Sequence, residues 1–187
     1  MIPVSRIVTS LRFALRDMQG VNVSDFEIIE AVNQAASLLY NKFAEDFVNV
    51  GLKKTVLVVD DALQASLPSD FLGVHYVGMG EDGYASPVAY KPEITGTYRI
   101  LGNNFYAPEG LYGLEYYYQP KRVASLSDAL DVPLSVCPYI EKITAAVLAN
   151  DLAGAMQIAA VCSHSLAGNE ISHFENDGPI NVLGGKL

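Results

Sequence analysis

Apolar residues at steps of three and four open the chain. Ile7, Leu11, Ala14, Leu15 and Met18 share one face of a helix predicted from Ser5 to about Gln19, with Ser5 as N-cap and Gly20 as stop. Arg6, Arg12, Arg16 and Phe13 fall on the other side. A second helix is announced by the capping box Ser24-Asp25-Phe26-Glu27. Its stripe of Ile29, Val32, Ala36, Leu39, Phe43 and Phe47 carries it to about Phe47 and has the spacing of a bundle seam. Beyond Gly51 the period becomes β-like. Strands are predicted at Leu52–Val59, Phe71–Met79, Tyr84–Lys91, Thr97–Leu101, Asn104–Ala107 and Leu111–Gln119, with Asp82-Gly83 and Gly102-Asn103 as hairpin turns.

From Pro138, which suits a helical first turn, Ile140, Ile143 and Val147 restore the helical period. A stripe of mostly small residues, Leu148, Leu152, Ala155, Ala159, Cys162 and Leu166, then runs toward Gly168; whether Asn150-Asp151 divides it into two helices stays open at this level. The pattern gives an α+β fold class: an antiparallel helical bundle of three to four helices with a β-rich insertion between the second helix and the C-terminal helices. The expected organisation is a single domain over 1–167, with a helical core at 5–50 and 138–167 and the insertion at 52–120. An extended C-terminal arm follows over 168–187, expected to order on a partner because it carries isolated apolar residues.

Composition narrows the function classes. The 187 residues are 50% hydrophobic and 18% charged, enough to build a core and unlike a disordered or disulfide-dense chain. No apolar run is long enough to span a membrane, and the charged opening Met1-Ile2-Pro3-Val4-Ser5-Arg6 does not read as a secretory signal. A net charge of −9 opposes nucleic-acid binding, which needs cations to displace counterions from phosphates. Charge is also uneven: residues 1–24 carry three arginines against one acid, and 123–185 carry Lys142 against seven acids. The two ends could pair between copies, with Arg12, Phe13 and Arg16 as inter-subunit candidates.

Candidate chemistry is sparse. Gly78-Met79-Gly80-Glu81-Asp82-Gly83 fits a dinucleotide-loop pattern, but extended residues follow it where a helix N-terminus would have to face the phosphates, and it reads as a hairpin turn. His75, His164 and His173 do not cluster along the chain, and Glu170 with His173 is half of a carboxylate-histidine pattern whose other half is missing, so no metal and no cofactor is expected. Cys137 and Cys162 lack metal-ligand spacing, and Cys162 reads as a buried inert thiol. Ser163-His164-Ser165 offers no nucleophile elbow. No catalytic residue is assigned, and the protein is expected not to be an enzyme. Nine of the eleven tyrosines lie between residues 71 and 120, and the run Tyr116, Tyr117 and Tyr118 cannot point to one side of a strand, which marks it as a docking candidate.

Three stretches taken together resemble the head-to-tail adaptor (connector) proteins of tailed bacteriophages: Leu67-Pro68-Ser69-Asp70-Phe71-Leu72; Tyr98-Arg99-Ile100-Leu101-Gly102-Asn103 with Tyr106 and Leu114-Glu115-Tyr116-Tyr117-Tyr118; and Leu130-Asp131-Val132-Pro133 through Pro138-Tyr139-Ile140 into the Ala-rich helices. With the second helix, the resemblance covers roughly residues 5–167. It implies a bundle interrupted by a β-rich insertion and a homo-oligomeric ring, usually a dodecamer, in the neck of the virion beneath the portal protein. Such a ring extends the DNA channel, passes DNA without specific binding and docks a tail or nozzle protein. It implies portal contacts by the C-terminal segment, with Ile171, Phe174, Ile180 and Leu183 as candidates, and tail docking by Tyr116, Tyr117 and Tyr118. Two other readings stay open: a neck or tail-completion protein, and a small hydrolase acting on cell-wall polymer through paired carboxylates of the strand region.

Overall fold

The computed structural model describes residues 1–79, 83–88, 92 and 96–176, with the backbone course alone for 168–176. Strand β1 (Ile2–Pro3) leads into helix α1 (Val4–Leu15), and α2 (Asp25–Glu45) follows. Then come β2 (Lys53–Val59), β3 (Gln64–Ser66), β4 (Phe71–Met79), β5 (Gly83–Tyr84), β6 (Ser86–Pro87), β7 (Thr97–Leu101), β8 (Asn104–Tyr106), β9 (Gly110–Tyr118) and β10 (Ala129–Leu130). A 3-10 turn at Leu134–Val136 precedes α3 (Cys137–Leu148) and α4 (Leu152–Asn176). No helix among the described residues is long and apolar enough to cross a membrane.

The expected bundle with an inserted β region is overturned. Among the described residues, ten strands form three sheets, ordered β2-β9-β4-β5, β3-β8-β7-β6 and β1-β10, in a mixed α+β fold. Helices and sheets do not keep separate cores: Ile7, Leu39, Phe43 and Ile140 belong to the same apolar cluster as Leu57, Phe105, Tyr112 and Leu114. The N-terminal strand is itself part of a sheet, Ile2 facing Leu130 and Pro3 facing Ala129 across β1 and β10. The reason is that three-four spacing specifies an apolar face but not everything that covers it: α2 packs on α3 and α4 and also meets β4 and β9, so helices and strands share one core.

Local signals explain the boundaries. Ser24 Oγ accepts from Glu27 N at 3.2 Å and Glu27 Oε2 accepts from Ser24 N at 2.8 Å, closing the capping box of α2. The same helix stops at Glu45, two residues short of expectation, and Phe47 takes a left-handed φ of 55° with its ring exposed. Helix α1 starts at Val4, where Pro3 rather than Ser5 holds the N-cap position, and ends at Leu15. Consequently Ala14, Leu15 and Met18, expected in the core stripe, are exposed. Asn150, with φ 55°, separates α3 from α4, and Asp151 Oδ1 accepts from Gly154 N at 2.8 Å to cap the new helix. The backbone of α4 continues past Gly168 to Asn176.

One clamp ties α2 to the segment after β9. The buried Asn33 donates through Nδ2 to Val123 O and accepts from Val123 N through Oδ1, both at 2.9 Å, as a strand neighbour would. Asn33→Ala orphans both groups of a buried peptide and is expected to cost about 2 to 4 kcal/mol. Urea denaturation checks this, and an unchanged midpoint would show that the clamp carries no stability.

Candidate interaction surfaces

The larger of the two four-stranded sheets, β2-β9-β4-β5, whose β2, β4 and β9 are longer than any strand of β3-β8-β7-β6, presents one face to the core and, over most of its other face, side chains to solvent, as an antiparallel sheet can. Along β2, Leu57 and Val59 are buried, whereas Val56 and Val58 are 65% and 66% exposed. Register places Val56 opposite Gly113 and Val58 opposite Leu111, itself 59% exposed. On the far side Gly113 faces Gly78 and Gly78 faces Tyr84, so Val56, Gly113, Gly78 and Tyr84 form a row across four strands. The Tyr76 and Tyr84 rings, both exposed, lie 5.7 Å apart at one end of it. No heavy atom lies within 4 Å of where a Gly113 Cβ would stand, so the sheet surface is open there, whereas the Tyr76 ring lies over the neighbouring Gly78. The Lys54–Glu115 ion pair borders this patch, and the exposed Asp60, Asp61 and Glu109 lie where β2 ends and β9 begins. Contiguous exposed apolar side chains of this kind make the face a candidate interaction surface.

A second surface lies on α1. Arg6, Thr9, Phe13 and Arg16 follow at steps of three and four and are all exposed, Phe13 to 78%. Val4, Ile7, Val8 and Leu11 occupy the buried side.

Arg12, the other inter-subunit candidate on α1, is placed differently. Its Nη1 donates to Asp17 O at 3.1 Å and Val23 O at 3.0 Å, Nη2 pairs with Asp25, and the side chain is only 12% exposed. Asp17, almost fully buried, accepts from the backbone amides of Val21, Asn22 and Val23. The Val23 amide foremost, opposed by burial and helped by the amides of Asn22 and Val21 and by Arg12, holds the Asp17 carboxyl below its usual range. Arg12 therefore belongs to the α1–α2 junction and not to a free surface.

The tyrosines proposed for docking are also corrected: Tyr116, Tyr117 and Tyr118 are all buried. Tyr118 packs edge-on against Tyr40 of α2, with centroids 5.0 Å apart, and donates to Asp131 O at 2.6 Å. Lys53 Nζ sits 4.0 Å above the Tyr118 ring, 2.7 Å from Asp70 and 3.5 Å from Asp131. Burial works against the Lys53 charge, but the two carboxylates outweigh it and keep the ammonium above its ordinary value. Burial likewise raises Asp70, yet Lys53 and the Tyr116 hydroxyl, 3.1 Å away, overcome it and hold the carboxyl low. Asp70 and Asp131 staple strands through Lys53, and a carboxyl held low, as that of Asp70 is, does not suit a proton donor at neutral pH. Tyr117 points to the other face, where it meets His75, whose Nδ1 lies 3.1 Å from its hydroxyl.

The remaining candidates spread through the fold. His164 Nδ1 is bonded to Ala160 O, Ser165 to Val161 O, and Ser163 to Asp46, so the serine-histidine run does not converge on a reacting position. Cys162 is buried, and burial pushes its thiol up to about 12. Gly78 and Gly83 lie in paired antiparallel strands, and residues 80–82 between them lie outside the described residues. So do the side chains of Ile171 and Phe174 and all of Ile180 and Leu183. Sequence reasoning missed Val56, Val58 and Leu111. The signal was present in Thr55-Val56-Leu57-Val58-Val59, where apolar residues occupy both faces of a strand of which only one meets the core.

Compared with protein-family models and with curated proteins, the chain finds no match.

Proposed function

We propose that this chain is a structural head-to-tail adaptor of a tailed bacteriophage, a non-enzymatic subunit of a ring beneath the portal that extends the DNA channel and docks tail or nozzle proteins. The observation that carries the reading is the presence, on a chain of net charge −9, of two exposed surfaces of different character on different elements, the apolar outer face of the larger sheet and the basic outer stripe of α1 centred on Phe13. A subunit that meets a different surface of the next copy on each side needs two such surfaces. Acidic walls also let a channel pass DNA without gripping it.

The motifs behind the resemblance supply further support, because each occupies a defined place. Leu67 to Leu72 turns the chain into β4 and brings Asp70 to Lys53; Tyr98 to Asn103 with Tyr106 makes the β7–β8 hairpin; Leu130 to Ile140 joins β10 to α3. The reading rests on these motifs and surfaces and takes nothing from a bundle architecture. Mixing the protein with the portal protein of the same genome and measuring native mass by light scattering on a sizing column tests it. A complex carrying about one copy per portal subunit is expected. A chain that ignores the portal would refute the assignment, and binding to a distal neck component instead would move it along the neck.

A further inference from the structure

We propose that copies of this chain associate head to tail, the exposed α1 stripe of one copy seating on the outer sheet face of the next. This names the contact within the homo-oligomer of the functional reading and rests on that reading for the copies being together.

Charge selects the occupant. Arg6 and Arg16 flank Phe13 on the stripe, and among the described residues neither makes an ion pair; Asp61 and Glu109, beside Val58 and Leu111, make none either, and Asp60 contributes a third acid at that edge. Each surface thus has an apolar centre and an uncompensated rim, and the two rims are opposite in sign. Pairing either surface with itself would bring together rims of one sign, so the contact is heterologous. Shape agrees with charge. Phe13 projects from its helix, and the position over Gly113, beside Val56, is open to an incoming side chain.

Charge reversal with rescue decides the matter. Association of the intact chain is followed by sedimentation and light scattering, and circular dichroism checks that each variant stays folded. Arg16→Glu alone, and Asp61→Lys with Glu109→Lys, are each expected to weaken association roughly tenfold, and combining all three to recover most of the loss. Val58→Asp, with the charges intact, is expected to weaken it further. In a mixture of Phe13→Cys and Val58→Cys proteins, a short bis-maleimide is expected to link one variant to the other. Unchanged association in the single reversals, no recovery in the combination, links only between like variants, or a parent chain that stays monomeric at its solubility limit would each overturn the proposal. The two readings fail separately. An assembly built by these contacts that ignores the portal sinks the adaptor function alone, whereas a portal-bound ring indifferent to the reversals sinks the contact alone.

Discussion

Arg12→Glu is expected to destabilise the monomer by at least about 3 kcal/mol, and Arg16→Glu, four residues on, to change stability by no more than about 0.5 kcal/mol. The two arginines look alike in the sequence and differ in surroundings. Arg12 reaches across the turn between α1 and α2, satisfies the carbonyls of Asp17 and Val23 and neutralises Asp25, while the buried Asp17 it faces gathers three backbone amides. A glutamate there removes every one of these donors and sets a third carboxylate against the buried Asp17 and the half-exposed Asp25. Lysine restores charge but not the fork that serves two carbonyls and a carboxylate together, so Arg12→Lys should fall between parent and glutamate. Guanidinium denaturation of the three variants measures the order. Equal losses for Arg12→Glu and Arg16→Glu would mean that the junction does not depend on Arg12, and the residue would return to the list of surface contacts.

That contrast shows where the sequence is readable and where it is not. Capping and turn signals act within four residues, which is why Ser24 and Glu27 locate α2 and the Gly102-Asn103 turn locates the β7–β8 hairpin, while the β-branched run in Lys53–Val59 locates β2. Arg12 escaped because its partners depend on the chain reversing at Arg16, which takes a left-handed φ of 55°, and again at Gly20. No local pattern specifies that path. The three tyrosines escaped for a related reason. Strand alternation correctly sets Tyr117 opposite Tyr116 and Tyr118, but burial on the second face comes with the irregularity in β4 between Val74 and Tyr76, which brings His75 to Tyr117. The bundle expectation failed at a longer range still. The stripe on α2 is buried from Ile29 to Phe43, Phe47 excepted, but Tyr40, outside that stripe, is buried too and meets Tyr118 of a strand. Gly51 completes that joint: its φ of 65° and the Tyr40 hydroxyl 2.9 Å from where a Cβ would stand admit no side chain without a shift, which a search for helical periods does not detect.

Phe105→Ala is expected to cost about 3 to 5 kcal/mol, the range for emptying a fully buried aromatic position. Phe105 sits on β8, stacks at 5.3 Å on Tyr98 of β7 and meets Tyr112 of β9 at 5.3 Å with its plane tilted by 59°. The first contact holds the smaller sheet together, and the second joins it to the larger one. Removing the ring therefore opens a cavity at the joint between sheets while leaving the helix contacts of Leu39 and Ile140 untouched. The smaller sheet has short strands and backbone bonds to few neighbours, so the lost free energy should appear there first, as faster hydrogen exchange of β7 and β8 amides than of α2 and α3 amides. Phe105→Leu, which refills part of the space, should show the same ranking with a smaller loss. If exchange accelerates equally in α2, α3, β7 and β8, the sheets and helices unfold as one cooperative unit, and the Phe105 joint supports that unit without marking a boundary within it.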